Sequence, residues 1–314
     1  MTMNAAFPHR HILGIEQLSA QDIRTILDLA ARYAGQNRSI QKSCDRLSGK
    51  IIVNMFFENS TRTRTSFEVA AKRLGADVVN FTSSASSMNK GETFSDTMRV
   101  INAMRADGFV IRHYEDGAVQ QASTLVDGNV LNAGDGANEH PTQALLDALT
   151  MERHKGKLEG LKVAICGDIK HSRVARSNAI LLGKMGAKVF FYAPPQFALE
   201  DSAKLGVTVC KSMKEALQDS DVVMMLRIQN ERLAAGEFSM KGDEYHTQYG
   251  LDHQKLAWAK KDAIVMHPAP MNRGIEITSE LADDPAHSVI FEQMEMGVAV
   301  RMACLDLLLS NDGY

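Results

Sequence analysis

The chain has 314 residues, 45% of them hydrophobic and 23% charged, with a formal net charge of −3 and the two signs well mixed. That length exceeds one ordinary core and predicts two domains of a soluble globular protein. The charge balance gives no electrostatic footing for nucleic acid or an anionic membrane surface, and no apolar run suits a signal peptide or a bilayer span.

Ser19-Ala20-Gln21-Asp22 reads as a capping box, opening an amphipathic helix through Ile23, Ile26, Leu27 and Ala30. After a polar segment, the apolar run Ile51 to Phe57 has strand length. Phe67, Ala70, Ala71 and Leu74 then recur at helical spacing, with Gly75 as the residue just past the helix end. Val78 to Phe81 is a short strand, and the Ser-rich stretch Thr82 to Met88 an exposed loop. A helix carrying Met98, Ile101 and Met104 follows Asn89-Lys90-Gly91-Glu92-Thr93. Gly108 to Arg112 is a buried strand ending in an arginine, and Val130 to Gly134 another, running on to His140-Pro141-Thr142-Gln143. Pro141 fits the first turn of a helix bearing Leu145, Leu146 and Leu149.

The polar, glycine-containing stretch His154 to Gly160 is a candidate domain boundary. A second alternating set follows it: a strand over Leu161 to Cys166, a helix over Ser172 to Met185, and a strand over Lys188 to Tyr192. Val207 to Cys210, Asp221 to Leu226 and Ala263 to Met266 continue the sheet, and Gln293 to Leu309 is a long helix with Val298, Met302, Leu305 and Leu309 on one face. The fold class expected is therefore α/β: two domains, each a parallel open sheet flanked by helices, with polar residues collected at the carboxyl ends of the strands. Cys44, Cys166, Cys210 and Cys304 form no Cys-x-x-Cys pair, and three lie in apolar runs. Buried free thiols in a reducing cytoplasm are expected, and neither a metal site nor a cofactor.

The densest chemistry lies in Glu58-Asn59-Ser60-Thr61-Arg62-Thr63-Arg64-Thr65-Ser66-Phe67-Glu68, where a strand ends and a helix begins. Four backbone N–H groups and the positive end of the helix dipole face out there. With Ser60, Thr61, Thr63, Arg62 and Arg64 they form a cluster of donors suited to phosphate. A plain Ser/Thr helix cap with solvated arginines is the bland alternative, and two Thr-Arg pairs in this frame favour the anion site. No Gly-x-x-x-x-Gly-Lys precedes the hydroxyls, so this is not a P-loop. Gly167-Asp168-Ile169-Lys170-His171-Ser172-Arg173 follows a strand too, with one glycine where a dinucleotide turn needs three.

Ser-Thr-Arg-Thr-Arg followed by Ser-Phe-Glu resembles the carbamoyl-phosphate signature of the transcarbamoylases, and further motifs match in consistent order over roughly residues 10 to 310. The resemblance implies transfer of a carbamoyl group from carbamoyl phosphate to an amine through a tetrahedral intermediate, without metal or covalent enzyme intermediate. It implies that Ser60, Thr61, Arg62 and Thr63 hold the phosphate, that Arg112 meets phosphate and carbonyl, and that His140 and Gln143 bind the carbamoyl oxygen and amide. Ser86 and Lys90 match a loop that reaches the neighbouring subunit's site, Lys90 meeting both substrates. Ala269 and Pro270 match a segment that meets the carbamoyl amide through a backbone carbonyl. Arg173, Arg227 and Gln229 match residues that bind L-aspartate, two guanidiniums suiting a dicarboxylate. Glu58 and His267-Pro268-Ala269-Pro270 stand where ornithine-directed members carry a lysine and His-Cys-Leu-Pro. Glu58, Arg173 and Arg232 are a candidate ion network between the domains.

The expected assignment is residues 1–150 for carbamoyl phosphate, completed by a returning C-terminal helix over 293–314, and residues 151–292 for aspartate. The product is N-carbamoyl-L-aspartate, for pyrimidine synthesis. A transcarbamoylase for another amino acid is the nearest rival, and a non-catalytic scaffold homologue a further one. The resemblance also implies a cytoplasmic homotrimer with shared sites, and leaves open regulatory or dihydroorotase partner chains.

Overall fold

The computed structural model of the protein describes residues 7–82, 91–200, 202–229, 240 and 242–310. Two compact units emerge from the contacts: Met1–Leu146 together with Glu295–Tyr314, and Asp147–Met294.

The first unit opens with α1 (Ala20–Asn37), whose capping box is formed as its sequence implies. The Ser19 hydroxyl accepts the Asp22 N–H at 3.1 Å, and the Asp22 carboxylate accepts the Ser19 N–H at 2.8 Å. A parallel four-stranded sheet follows, built from β1 (Ile51–Phe56), β2 (Asp77–Thr82), β3 (Gly108–His113) and β4 (Asn129–Asp135) in the order β2-β1-β3-β4. α2 (Thr61–Arg73), α3 (Phe94–Asn102) and α4 (Ala118–Ser123) lie between successive strands, and α5 (Pro141–Lys155) follows β4. All strands run parallel, so their carboxyl ends share one edge. Strand addition reverses direction between β1 and β3, which places a topological switch point there, the usual seat of ligands in open sheets. The register sets Phe56 beside Arg112 and His113 beside Asp135.

The second unit repeats the scheme. β5 (Lys162–Cys166), α6 (Arg173–Lys184), β6 (Lys188–Tyr192), β7 (Thr208–Val209), α7 (Met213–Leu217) and β8 (Val222–Met225) come first. α8 (Gly242–Tyr249), α9 (His253–Leu256), β9 (Ile264–Met266) and α10 (Ser279–Ala282) complete it. The parallel sheet runs β7-β6-β5-β8-β9, with its switch point between β5 and β8. α11 (Ile290–Leu309) starts in this unit and belongs to the first from Glu295 onward. There Tyr33 Oη donates to Asp306 at 2.6 Å and Arg38 Nε to Glu295 at 2.6 Å, tying α11 to α1.

Three details depart from the sequence-based expectations. α3 stops at Asn102 and Arg105 turns to a φ of 61°, which leaves Met104 beyond the helix and exposed. α4 has a weak pattern of six residues started by left-handed Gly117, and no strong cap announces it. α11 is buried on nearly every side from Met296 to Leu309, so the single face through Met302, Leu305 and Leu309 understates it; Val298 is only half-buried. Cys166, Cys210 and Cys304 are buried free thiols, and Cys44 is half-buried. Among the described residues, no helix is long and apolar enough to cross a membrane.

Candidate active site

In the first unit the residues of the β1–α2 passage and Arg112 lie at the switch point, and His140 and Gln143 follow β4 at the same carboxyl edge of the sheet. β1 delivers the chain to Ser60, the residue before α2, with extended φ −158° and ψ 100° and a side chain that makes no cap hydrogen bond. Thr61 and Arg62 are exposed, Thr63 is buried, and the first turn of α2 holds no acidic residue. Acids are the usual occupants of a helix's first turn, because they offset its dipole. Here Arg62 and Arg64 take that place, which compounds the positive potential and leaves the offset to an external anion. Arg64 Nη1 lies 3.5 Å from Thr82 Oγ1 at the end of β2.

Arg112 comes from the neighbouring β3. Its Nη2 donates to Glu58 Oε1 at 3.0 Å and its Nη1 to the Ala133 carbonyl at 3.3 Å. The Phe57 N–H donates to the Arg112 carbonyl at 2.8 Å, so the end of β1 and the end of β3 are joined through the residue that carries the guanidinium. Next to it His113 is buried against Phe57 and Phe94, and burial lowers its pKa. Its Nδ1 accepts the Glu115 N–H at 3.0 Å, so the ring is a neutral packing element. His140 and Gln143, both buried, stand at the start of α5, and the Gln143 N–H donates to the His140 carbonyl at 3.0 Å. The loop that leads to them is held by Asp135, whose carboxylate accepts N–H groups of Gly117 and Asn138 at 3.0 and 3.2 Å.

The second unit carries Arg173, Arg227 and Gln229 at its own switch point, after β5 and β8, and Ala269 and Pro270 after the edge strand β9. Gly167 follows β5 with φ 127°, and a Cβ there would strike the Leu226 carbonyl, so the close approach of the ends of β5 and β8 requires glycine. Ser172 caps α6 by accepting the Ala175 N–H at 3.1 Å, and Arg173, the first helical residue, is buried. A buried guanidinium at a helix N-terminus again concentrates positive potential, which a carboxylate offsets. After β8, the Gln229 N–H donates to Asp168 at 3.1 Å and its side-chain Nε2 to the His171 carbonyl at 2.9 Å. Arg227 lies two residues before, its Nη1 3.2 Å from the Ile228 carbonyl. Ala269 follows β9 with φ 52°, and Pro270 is exposed.

Ser86, Lys90 and Arg232 lie outside the described residues. Within the first unit the Glu58 carboxylate, a candidate partner of Arg173 and Arg232 on sequence, engages Arg112. Arg301 was missed. It is buried in α11, donates to Ser66 Oγ at 2.8 Å and lies 5.0 Å from the centroid of the Phe67 ring, so a fixed charge lies against the middle of α2. The one clue was a lone arginine in the apolar run Val298 to Leu305. Burial pushes the thiol of Cys210 up to about 11 and that of Cys304 up to about 12, which leaves them protonated and inert as nucleophiles. Among the described residues, no group of three His, Cys, Asp or Glu side chains is arranged to hold a metal ion.

Comparison with known proteins gives one consistent answer. Residues 10–153 match the family description "Aspartate/ornithine carbamoyltransferase, carbamoyl-P binding domain", and residues 159–308 match "Aspartate/ornithine carbamoyltransferase, Asp/Orn binding domain". The chain is 60% identical over 303 residues to the aspartate carbamoyltransferase catalytic subunit of Rhodospirillum centenum, covering 96% of this chain and 95% of that one. To the corresponding subunit of Ruegeria pomeroyi it is 58% identical over 306 residues, 98% of each chain. Among solved structures it resembles the aspartate transcarbamoylase of Trypanosoma cruzi in complex with carbamoyl phosphate and aspartate, with a TM-score of 0.86 and 35% identity, over 95% of this chain and 96% of that one. The complex of the same enzyme with N-(phosphonacetyl)-L-aspartic acid gives a TM-score of 0.83 at 35% identity, over 95% of both chains.

Proposed function

The chain belongs to the aspartate/ornithine carbamoyltransferase family, and on that premise we propose which of its residues carry the reaction. The reaction is transfer of the carbamoyl group of carbamoyl phosphate to the amine of L-aspartate, giving N-carbamoyl-L-aspartate and phosphate. It serves pyrimidine synthesis.

Carbamoyl phosphate binds to the first unit, with phosphate on Ser60, Thr61, Arg62 and Thr63 and on the backbone N–H groups that begin α2. Arg112 bridges phosphate and carbonyl, and His140 and Gln143 take the carbamoyl oxygen and amide. Attack of the amine puts negative charge on that oxygen, and fixed donors from Thr63, Arg112 and His140 stabilise it as it forms. Collapse of the intermediate breaks its C–O bond to phosphate, and the departing phosphate takes up the proton that the amine gives up, leaving as a dianion in a site already built for one. Ala269 and Pro270 meet the carbamoyl amide, while Arg173, Arg227 and Gln229 receive aspartate and align its amine. The observation that carries this reading is the acid-free, arginine-bearing first turn of α2 beside Arg112 at the switch point of the sheet.

The active unit is a cytoplasmic homotrimer in which Ser86 and Lys90 of one subunit complete the site of the next. Substrate choice tests the reading. With carbamoyl phosphate supplied, the purified protein should carbamoylate L-aspartate and leave L-ornithine essentially untouched; equal or faster turnover of ornithine would overturn it.

A further inference from the structure

In the second unit, β9 ends at Met266 and the next residue, His267, is wholly buried together with Glu276. Three hydrogen bonds fix this residue, two of them through its ring. Its backbone N–H donates to Gln293 Oε1 at 2.9 Å. Its Nδ1 accepts the Ala269 N–H at 2.9 Å, so that nitrogen carries no proton. Its Nε2 lies 3.1 Å from Glu276 Oε1, an arrangement in which the ring donates and the carboxylate accepts. The same Glu276 oxygen accepts the Asn272 N–H at 2.6 Å. One imidazole and one carboxylate thus grip the turn at residue 269 and again at residue 272. Gln293 is anchored in turn, its Nε2 donating to Asp147 Oδ1 at 2.9 Å, and Asp147 Oδ2 accepts from Asn178 Nδ2 at 2.8 Å.

The gripped residue is unusual. Ala269 sits at φ 52°, a left-handed conformation that a residue with a Cβ adopts at a cost and keeps when its surroundings over-determine it. A carboxylate buried against a neutral imidazole is likewise costly to desolvate, because neutral donors offset a buried charge only in part. Strain and buried charge spent on one exposed turn point to a demand on where the Ala269 carbonyl is aimed.

We propose that His267, held as its Nε2–H tautomer by Glu276, is the positioning residue that aims the Ala269 carbonyl at the carbamoyl amide and so makes the site prefer carbamoyl phosphate to inorganic phosphate. This rests on the functional reading above, in which Ala269 meets the amide. The amide is the part of the ligand that phosphate lacks, so misplacing one carbonyl penalises one ligand and spares the other.

Two variants of the full chain separate the bonds. His267→Asn keeps an acceptor near the position of Nδ1 for the Ala269 N–H and gives up Glu276. His267→Gln keeps a donor toward Glu276 and gives up the acceptor. Calorimetric titration should show His267→Gln binding carbamoyl phosphate about tenfold more weakly, with phosphate affinity within about twofold of wild type, as for the loss of one directed hydrogen bond. His267→Asn should keep most of the preference. Equal weakening toward both ligands, or an unchanged preference in His267→Gln, overturns the proposal. A readout on the wild-type chain needs no variant to fold: with ¹⁵N-labelled histidine, the His267 ring should show the Nε2–H tautomer, and the Nδ1–H tautomer overturns the proposal. If wild type itself binds carbamoyl phosphate no better than phosphate, the functional reading fails and this one with it; a wild-type preference that survives His267→Gln sinks this inference alone.

Discussion

Arg112 and Glu58 form an ion pair at the head of the sheet, with Nη2 and Oε1 3.0 Å apart and the arginine side chain only 11% exposed. β1 supplies the acid's neighbourhood and β3 the base, and their parallel register brings Phe56 beside Arg112. The guanidinium proposed to polarise the carbamoyl carbonyl is thus oriented within its own unit.

Replacing Arg112 by methionine keeps the volume and removes the charge. Loss of charge-assisted hydrogen bonds worth about 1.5–3 kcal/mol should weaken carbamoyl phosphate binding roughly ten- to hundredfold. Glu58→Gln removes a negative charge near the anion while keeping an acceptor for Arg112. Its expected effect is tighter phosphate binding, by about threefold for a partly solvated charge. Titration calorimetry on both variants checks this, and weaker phosphate binding in Glu58→Gln would mean that Glu58's charge serves orientation above all.

Sharing of the site can be tested by complementation. Lys90→Ala and Arg62→Ala chains should each fold, assemble and be nearly inactive. Mixed after mild dissociation, about one interface in four pairs an intact Arg62 with an intact Lys90, assuming equal exchange and closed symmetry. Activity near a quarter of wild type supports the trimeric site. Activity stuck at the level of the parents, with exchange confirmed by mass spectrometry, places Lys90 in its own subunit's site or in none.

The proposed chemistry uses arginine and histidine donors where other acyl transfers use a Lewis acid. Exhaustive chelation should therefore leave turnover unchanged. Loss of activity with EDTA, restored by zinc or magnesium, would count against the mechanism.

His11 sets a pH dependence of stability. Its Nδ1 accepts the Val130 N–H at 2.9 Å, and burial, helped by neighbouring Arg10, holds its pKa down at about 4 against an ordinary 6.5. The folded state therefore binds fewer protons than the unfolded chain between these values. The stabilisation is fully present above pH 6.5 and is lost progressively as pH falls toward 4. His11→Asn offers an acceptor to the same N–H and does not titrate. The fall in Tm from pH 7.5 to pH 5, measured by calorimetry, should be smaller in this variant; an identical fall in both proteins refutes the assignment.

Much of this protein was legible in short stretches of its sequence. The Ser19 capping box, the strand-to-helix passage through Ser60 and Thr61, and Pro141 at the start of α5 all depend on residues within a few positions of each other. Local propensity and hydrophobic period encode such features directly, and the signature after β1 carried the family with it. Met104 failed as a helical residue because its place depended on where α3 stopped. α11 failed as a one-faced helix because burial on its other sides comes from partners distant in sequence, Tyr33 on α1 among them.

What only the tertiary structure decided is of that second kind. The orders β2-β1-β3-β4 and β7-β6-β5-β8-β9 put each switch point where two strand ends meet, and no period in the sequence states a strand order. Glu58 with Arg112, Arg301 with Ser66, and Gln293 with both Asp147 and His267 join residues tens to hundreds of positions apart. Even His267 and Glu276, nine residues apart, face each other only because the turn between them is gripped at Ala269 and Asn272. Side-chain identity announces that a charge is present; the path of the backbone decides what it meets.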